Sequence, residues 1–94
     1  MLVRIINKDG VVSEYNQNKD LITFGRDATN DIVVDDEKVS KKHLIIVKEQ
    51  GLLRAKDLGS TNGTFVNGKP IEYAVVLNIG DKVAIGARKY HVRR

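Results

Sequence analysis

The apolar residues of this chain come in short, β-branched bursts, and that pattern is the strongest constraint on its fold. After the opening "LVRIIN" come "VVSEY", "LITF", "DIVV", "HLIIVK", "LLRAKD", "TFVN", "AVVL", "KVAI" and "KYHV". Each burst is bounded by Gly, Asn, Asp or a cluster of charges, the punctuation of successive short strands. Apolar spacing at i, i+3, i+4 and i+7 is nowhere sustained, so the pattern predicts little helix. Val83 and Ile85 alternate with Lys82 and Ala84, and Tyr90 and Val92 with Lys89 and His91. A period of two buries one face of a strand. About ten strands in a domain of this size predict an all-β fold, a β-sandwich of two packed antiparallel sheets. Asp9-Gly10 and Asn67-Gly68 are turn signals. Pro70, the only proline, is expected in a turn or at a strand edge, because it cannot donate to a ladder.

The 94 residues are enough for one domain, 1–94, with a single modest core. Hydrophobic residues at 41% and charged residues at 30% suit an ordered globular chain. Strand pattern runs from Leu2 to Val92 without a linker or repeat, as expected of a domain excised from a longer protein. With no cysteine and only His43 and His91, disulfides and thiolate metal sites are excluded and neither metal nor cofactor is expected. No run of about 18 apolar residues offers a membrane span, and "MLVRIINKDG" lacks signal-peptide architecture. The expectation is a cytoplasmic domain without membrane contact. The formal net charge of +4 and pI near 9.5 favour an anionic partner.

Three polar clusters interrupt the apolar framework: "GRDATND" from Gly25 to Asp31, "KVSKKH" from Lys38 to His43, and "GSTNGT" from Gly59 to Thr64. Each falls between predicted strands. In a sandwich, alternate connections share an end, so these three loops are expected to meet. Together they offer an arginine, lysines, hydroxyls, an asparagine amide and glycine-freed backbone N–H groups. That inventory of donors and positive charge matches the acceptor oxygens of a phosphate dianion. Simpler readings compete at single positions. Arg26 alone is an ordinary solvated charge, and Ser40 alone caps a turn. Asn62-Gly63 alone is a hairpin turn, but that leaves Ser60 and Thr61 unexplained. Asn67-Gly68 is left as a plain turn. The acidic run Asp35 to Glu37 reads as a solvated loop, with selection of basic residues flanking a phosphosite as its functional alternative.

Enzymatic readings fail on the same residues. "GTFVNGKP" has the glycine and lysine spacing of a phosphate-binding P-loop, but Pro70 stands where Ser or Thr must hold Mg²⁺. Ser40, His43 and Asp57 name the parts of a hydrolase triad, yet no nucleophile elbow surrounds Ser40. Donors alone bind a phosphate without cleaving its ester, so no enzyme is expected. A small basic domain binding nucleic acid is the alternative from another class. Three Tyr and two Phe, with no aromatic-rich strand, make a poor stacking platform.

The run "ITFGRDATNDIVVDDEKVSKKH…DLGSTNGTFVNG" closely resembles the forkhead-associated domain, a phosphothreonine-peptide-binding module, and the likeness extends to "LNIGDKVAIGARKYHV". The motifs are specific in combination: Gly-Arg, Ser-x-x-His, then Ser-Thr-Asn-Gly-Thr. The resemblance implies an FHA/SMAD-like sandwich of about eleven strands with its binding loops at one end. It implies that Arg26 contacts the phosphate, Ser40 donates its hydroxyl to it, and Lys41 approaches it as a point charge. Thr61 would help form the phosphothreonine pocket, and Asn62 would hydrogen-bond the peptide backbone beside it. Gly25, His43 and Gly63 would be supports of the site, with His43 neutral and bracing the loops. Two positions depart from the family pattern. Phe24 stands where an aliphatic residue is common. Lys41 stands where arginine or asparagine is common, and a lysine cannot fork. The implied function is a monomeric signalling or assembly module downstream of Ser/Thr kinases, binding a phosphorylated partner in trans or in cis. Arg26, Ser40 and Asn62 together argue against a phosphate-independent interaction module.

Overall fold

The computed structural model describes residues 3–15 and 21–94; Leu2, where the strand pattern opens, lies outside the described residues. They form eleven strands and no helix: β1 (Val3–Asn7), β2 (Gly10–Tyr15), β3 (Leu21–Gly25), β4 (Ile32–Val33), β5 (Leu44–Glu49), β6 (Leu52–Asp57), β7 (Thr64–Val66), β8 (Lys69–Pro70), β9 (Val75–Leu77), β10 (Lys82–Ile85) and β11 (Arg88–Arg93). One sheet runs β2-β1-β11-β10-β7-β8 and the other β4-β3-β5-β6-β9.

The period-two reading holds where the core forms. Val3, Ile5, Val83, Ile85, Tyr90 and Val92 turn inward from the six-stranded sheet, and Ile22, Phe24, Leu44, Ile46, Leu53, Ala55 and Leu77 from the five-stranded one. Two aromatic contacts tie the layers together. The rings of Phe24 and Tyr90 meet edge to face at 5.4 Å and 66°, the geometry their quadrupoles favour. The Tyr15 hydroxyl donates to the Ile46 carbonyl at 2.9 Å. Burial drives the Tyr15 phenol far above its ordinary pKa, so it stays a donor.

Two features were not legible in the apolar pattern. The two-residue β8 pairs with β7 through Phe65 and Pro70. It lies at the sheet edge, where the missing N–H of Pro70 breaks no ladder. The short β4 runs parallel to β3, with Phe24 opposite Ile32, whereas antiparallel pairing was expected throughout. Reciprocal hydrogen bonds accompany this parallel course. Asp31 N–H donates to the Thr23 hydroxyl at 2.8 Å, and its carboxylate accepts from Thr23 N–H at 2.9 Å. They tie the residue before β4 to the middle of β3.

Register then decides which loops are neighbours. β5 begins at Leu44 opposite Asp57, where β6 ends. β7 begins at Thr64 opposite Ile85, where β10 ends. Ile6, next to the β1–β2 turn, faces His91 near the start of β11. The β1–β2, β3–β4, β4–β5, β6–β7 and β10–β11 connections therefore share one end of the sandwich.

Candidate functional site

The three polar loops meet at that end, as their places between strands predict. Arg26 N–H donates to the Ser40 carbonyl at 3.0 Å, and Asp27 N–H to the Lys41 carbonyl at 3.2 Å. These bonds fasten the β3–β4 loop to the β4–β5 loop. Thr61 N–H donates to Ser40 Oγ at 3.1 Å, and Asn62 Nδ2 to the Lys38 carbonyl at 2.9 Å. These bring in the β6–β7 loop. Gly25 makes the first junction sterically possible. A Cβ there would collide with the Lys41 carbonyl oxygen and stand 2.7 Å from Asn30 Nδ2.

Each candidate ligand group is left with a free function. Arg26 is exposed, and its Nε donates to the Val39 carbonyl at 3.0 Å. Its Nη groups hydrogen-bond to none of the described residues. The inner edge of the guanidinium is thus held while the fork faces outward. Ser40 Oγ accepts from Thr61, which leaves its own proton to donate. Asn62 holds the β4–β5 loop with Nδ2 and retains its amide oxygen as an acceptor. Lys41 is exposed and lines, with Arg26, Asp27 and Ala28, a cavity of about 330 Å³.

His43 lies beneath this rim, fully buried. Its Nδ1 accepts from Ser40 N–H at 3.0 Å, and its Nε2 faces the Gly63 carbonyl at 2.8 Å. That pairing assigns the neutral Nε2–H tautomer. One ring therefore spans the β4–β5 and β6–β7 loops. Neither ring nitrogen is available to take a proton from the Ser40 hydroxyl. Gly63 itself has φ of 88°, a conformation glycine adopts without steric cost.

The surplus hydroxyls of "GSTNGT" have an inward purpose that sequence reasoning missed. Asp57 Oδ2 accepts from Ser60 Oγ at 2.5 Å and from Thr64 Oγ1 at 2.7 Å, while Oδ1 accepts from Ser60 N–H at 2.8 Å. Ser60 Oγ in turn accepts from Gly63 N–H at 3.0 Å. Thr64 is completely buried. Partial burial opposes ionisation of Asp57, but these hydrogen bonds outweigh it and hold its carboxyl below the usual pKa. Ser60 and Thr64 are thus frame, and of the loop's hydroxyls only that of Thr61 is exposed to a ligand. The signal was Asp57 itself, three residues before Ser60 and so within reach of a local side-chain-to-backbone hydrogen bond.

The acidic run also needs correction. Asp36 is not simply solvated: its carboxylate accepts from Lys38 N–H at 2.9 Å and from Ala87 N–H at 3.0 Å. Those two backbone hydrogen bonds hold its pKa down. Arg88 adds a hydrogen bond to the Asp35 carbonyl at 3.1 Å. The β4–β5 loop is therefore anchored on its far side to the β10–β11 turn. Asn67 likewise exceeds a plain turn. With φ of 52°, it accepts from Lys82 N–H at 3.0 Å and donates to Asp81 at 2.9 Å.

The all-β sandwich thus gathers a fixed guanidinium, a hydroxyl donor and an amide at one end, a set of donors that suits an oxyanion. The FHA domain family model matches residues 22–86, and the chain belongs to that family. It is 45% identical over 62 residues to the glycogen accumulation regulator GarA of Mycolicibacterium smegmatis, covering 66% of this chain and 39% of the relative. The chain spans less than half the length of the curated relatives it matches. Among solved structures, Mycobacterium tuberculosis EmbR in complex with a low-affinity phosphopeptide aligns with a TM-score of 0.86 and 30% identity, over 98% of this chain and 24% of that one. An FHA domain studied for its phosphothreonine-dependent interactions aligns with a TM-score of 0.85 and 30% identity, over 100% and 97% of the two chains.

Proposed function

We propose that this domain binds phosphothreonine-containing peptides at the rim formed by Arg26, Ser40, Lys41, Thr61 and Asn62. It would serve as a cytoplasmic, non-enzymatic signalling or assembly module downstream of Ser/Thr kinases. The observation that carries this reading is the cross-linking of Arg26, Ser40 and Thr61 by hydrogen bonds into one donor-rich rim. A rim already fixed loses little conformational freedom when a dianion arrives.

In this reading the Arg26 fork takes two phosphate oxygens, the Ser40 hydroxyl donates to a third, and Lys41 adds charge without a fork. Thr61 flanks the γ-methyl of the phosphothreonine. The Asn62 oxygen accepts a backbone N–H of the peptide. The unavailable His43 ring leaves Ser40 without a base, which favours binding over cleavage.

The test is selection from a degenerate phosphothreonine peptide library beside its unphosphorylated counterpart. Retention of the phosphorylated library alone is expected, and it also yields the flanking preference. Equal retention of both libraries would contradict the proposal.

A further inference from the structure

A cavity of about 620 Å³ lies outside the rim. Its wall comes from the β1–β2 turn, with Lys8 and Asp9, and from the start of β11, with Arg88, Lys89 and His91. Three permanent cations face it against a single carboxylate. Lys8 and Lys89 are exposed, and their side chains make no hydrogen bond or ion pair with the described residues. Arg88 is already oriented by the Asp35 carbonyl. The turns that line it lie at the same end as the rim, next to the β4–β5 loop. Asp36 and Arg88 bolt that loop to the cavity wall.

Lys8, Arg88 and Lys89 outnumber the acids at this concavity, Asp9 in its lining and Asp36 bound to Ala87 N–H, and leave it net positive. It suits an anionic ligand. The molecule's longest extent is 34 Å, so any two points on one end lie within reach of roughly ten extended residues. We propose that this cavity is a second anion site, which receives acidic side chains of the same peptide whose phosphothreonine occupies the rim. This proposal rests on the phosphothreonine reading. Its ligand chemistry is an oxyanion on a peptide side chain, either a carboxylate or a second phosphate.

The experiment takes the best phosphothreonine peptide from the library and extends it, at either end, with four glutamates or with a spacer and one phosphoserine. A Gly/Ser extension is the control. Affinities are measured for the unaltered domain, for the double variant K8A/K89A, and for Arg26→Ala. At least one acidic extension should tighten binding to the unaltered domain about three- to tenfold, the scale of a few exposed charge pairs. K8A/K89A should lose that gain and keep its affinity for the Gly/Ser peptide. Comparison of the glutamate and phosphoserine arms identifies the preferred source of the anion. No gain with any acidic extension, or a gain that survives in K8A/K89A, would overturn the second site. Displacement of the acidic extension by a single-stranded oligonucleotide at lower concentration than by free oligoglutamate would overturn its peptide assignment. Failure of the Gly/Ser peptide itself to bind would instead refute the phosphothreonine reading. Amide NMR shifts at Lys8 and Lys89 on adding oligoglutamate alone would then decide the cavity independently: their presence supports it, and their absence overturns it.

Discussion

At the scale of single residues, the site divides into groups that face a ligand and groups that hold them. Arg26 is a facing group with one nitrogen tied back. Loss of its charged hydrogen bonds to a phosphate should cost about 1.5–3 kcal/mol. Arg26→Ala is therefore expected to weaken phosphopeptide binding at least roughly tenfold, with the fold intact and a small drop in melting temperature from loss of the bond to the Val39 carbonyl. Arg26→Lys should also bind poorly, because it keeps charge and loses the fork. Isothermal calorimetry beside a thermal melt checks both. His43 is a holding group. His43→Ala removes the partners of Ser40 N–H and the Gly63 carbonyl and opens a cavity. A loss of about 2–4 kcal/mol in stability is expected by denaturation, with binding weakened indirectly. Asp57 is the second holding group, and its depressed pKa has a defined sign. A carboxyl whose native pKa lies below its unfolded value stabilises the fold above the unfolded value, near about pH 4. That contribution fades as pH falls through the lower native value. Urea denaturation should show an acid-side loss that Asp57→Asn diminishes, and the variant should be less stable at neutral pH.

Among the elements, what the sequence made legible follows from how each one is encoded. Ten apolar bursts correspond to ten of the observed strands because burial of one face demands alternation. β8 escaped because two residues at an edge bury nothing. The parallel course of β4 escaped because alternation records which face is buried and not the direction of the partner. The loops were legible as a cluster because alternate connections of a sandwich share an end. Their internal division was not: Ser60 and Thr61 look alike in sequence, yet one serves Asp57 and the other is exposed. Asp36 looked solvated because a charge run carries no mark of the amides it caps. The β3–β4 loop supplies a test at this scale. Gly25→Ala introduces a methyl where the Lys41 carbonyl already lies. Overpacking of this kind costs about 1–3 kcal/mol, and the two loops must part. We expect reduced stability together with weakened phosphopeptide binding, and changed amide shifts at Arg26 and Lys41. Native stability with unchanged binding would show that the loop junction is not what sets the site.

For the whole molecule, the sandwich acts as a rigid mount for one functional end. Its Tyr15–Ile46 and Phe24–Tyr90 contacts fix the two layers against each other, so loops contributed by opposite sheets keep their spacing. The net charge of +4 adds a general attraction for anions, screened beyond about 8 Å at physiological salt. Charge alone does not distinguish phosphothreonine from phosphoserine, since both carry the same dianion. In the proposed reading, a pocket beside Thr61 that receives the γ-methyl would distinguish them. Burying one methyl is worth about 0.8 kcal/mol, or roughly fourfold, and the methyl also restricts rotamers of the free peptide. The most direct measurement is calorimetric titration with three peptides that differ only in carrying phosphothreonine, phosphoserine or threonine. Binding of the phosphothreonine peptide several-fold to more than tenfold tighter than the phosphoserine one is predicted, with none detected for the unmodified peptide. Equal affinity for the two phosphopeptides would contradict the Thr61 pocket, and equal affinity for all three would contradict phosphate recognition at this rim.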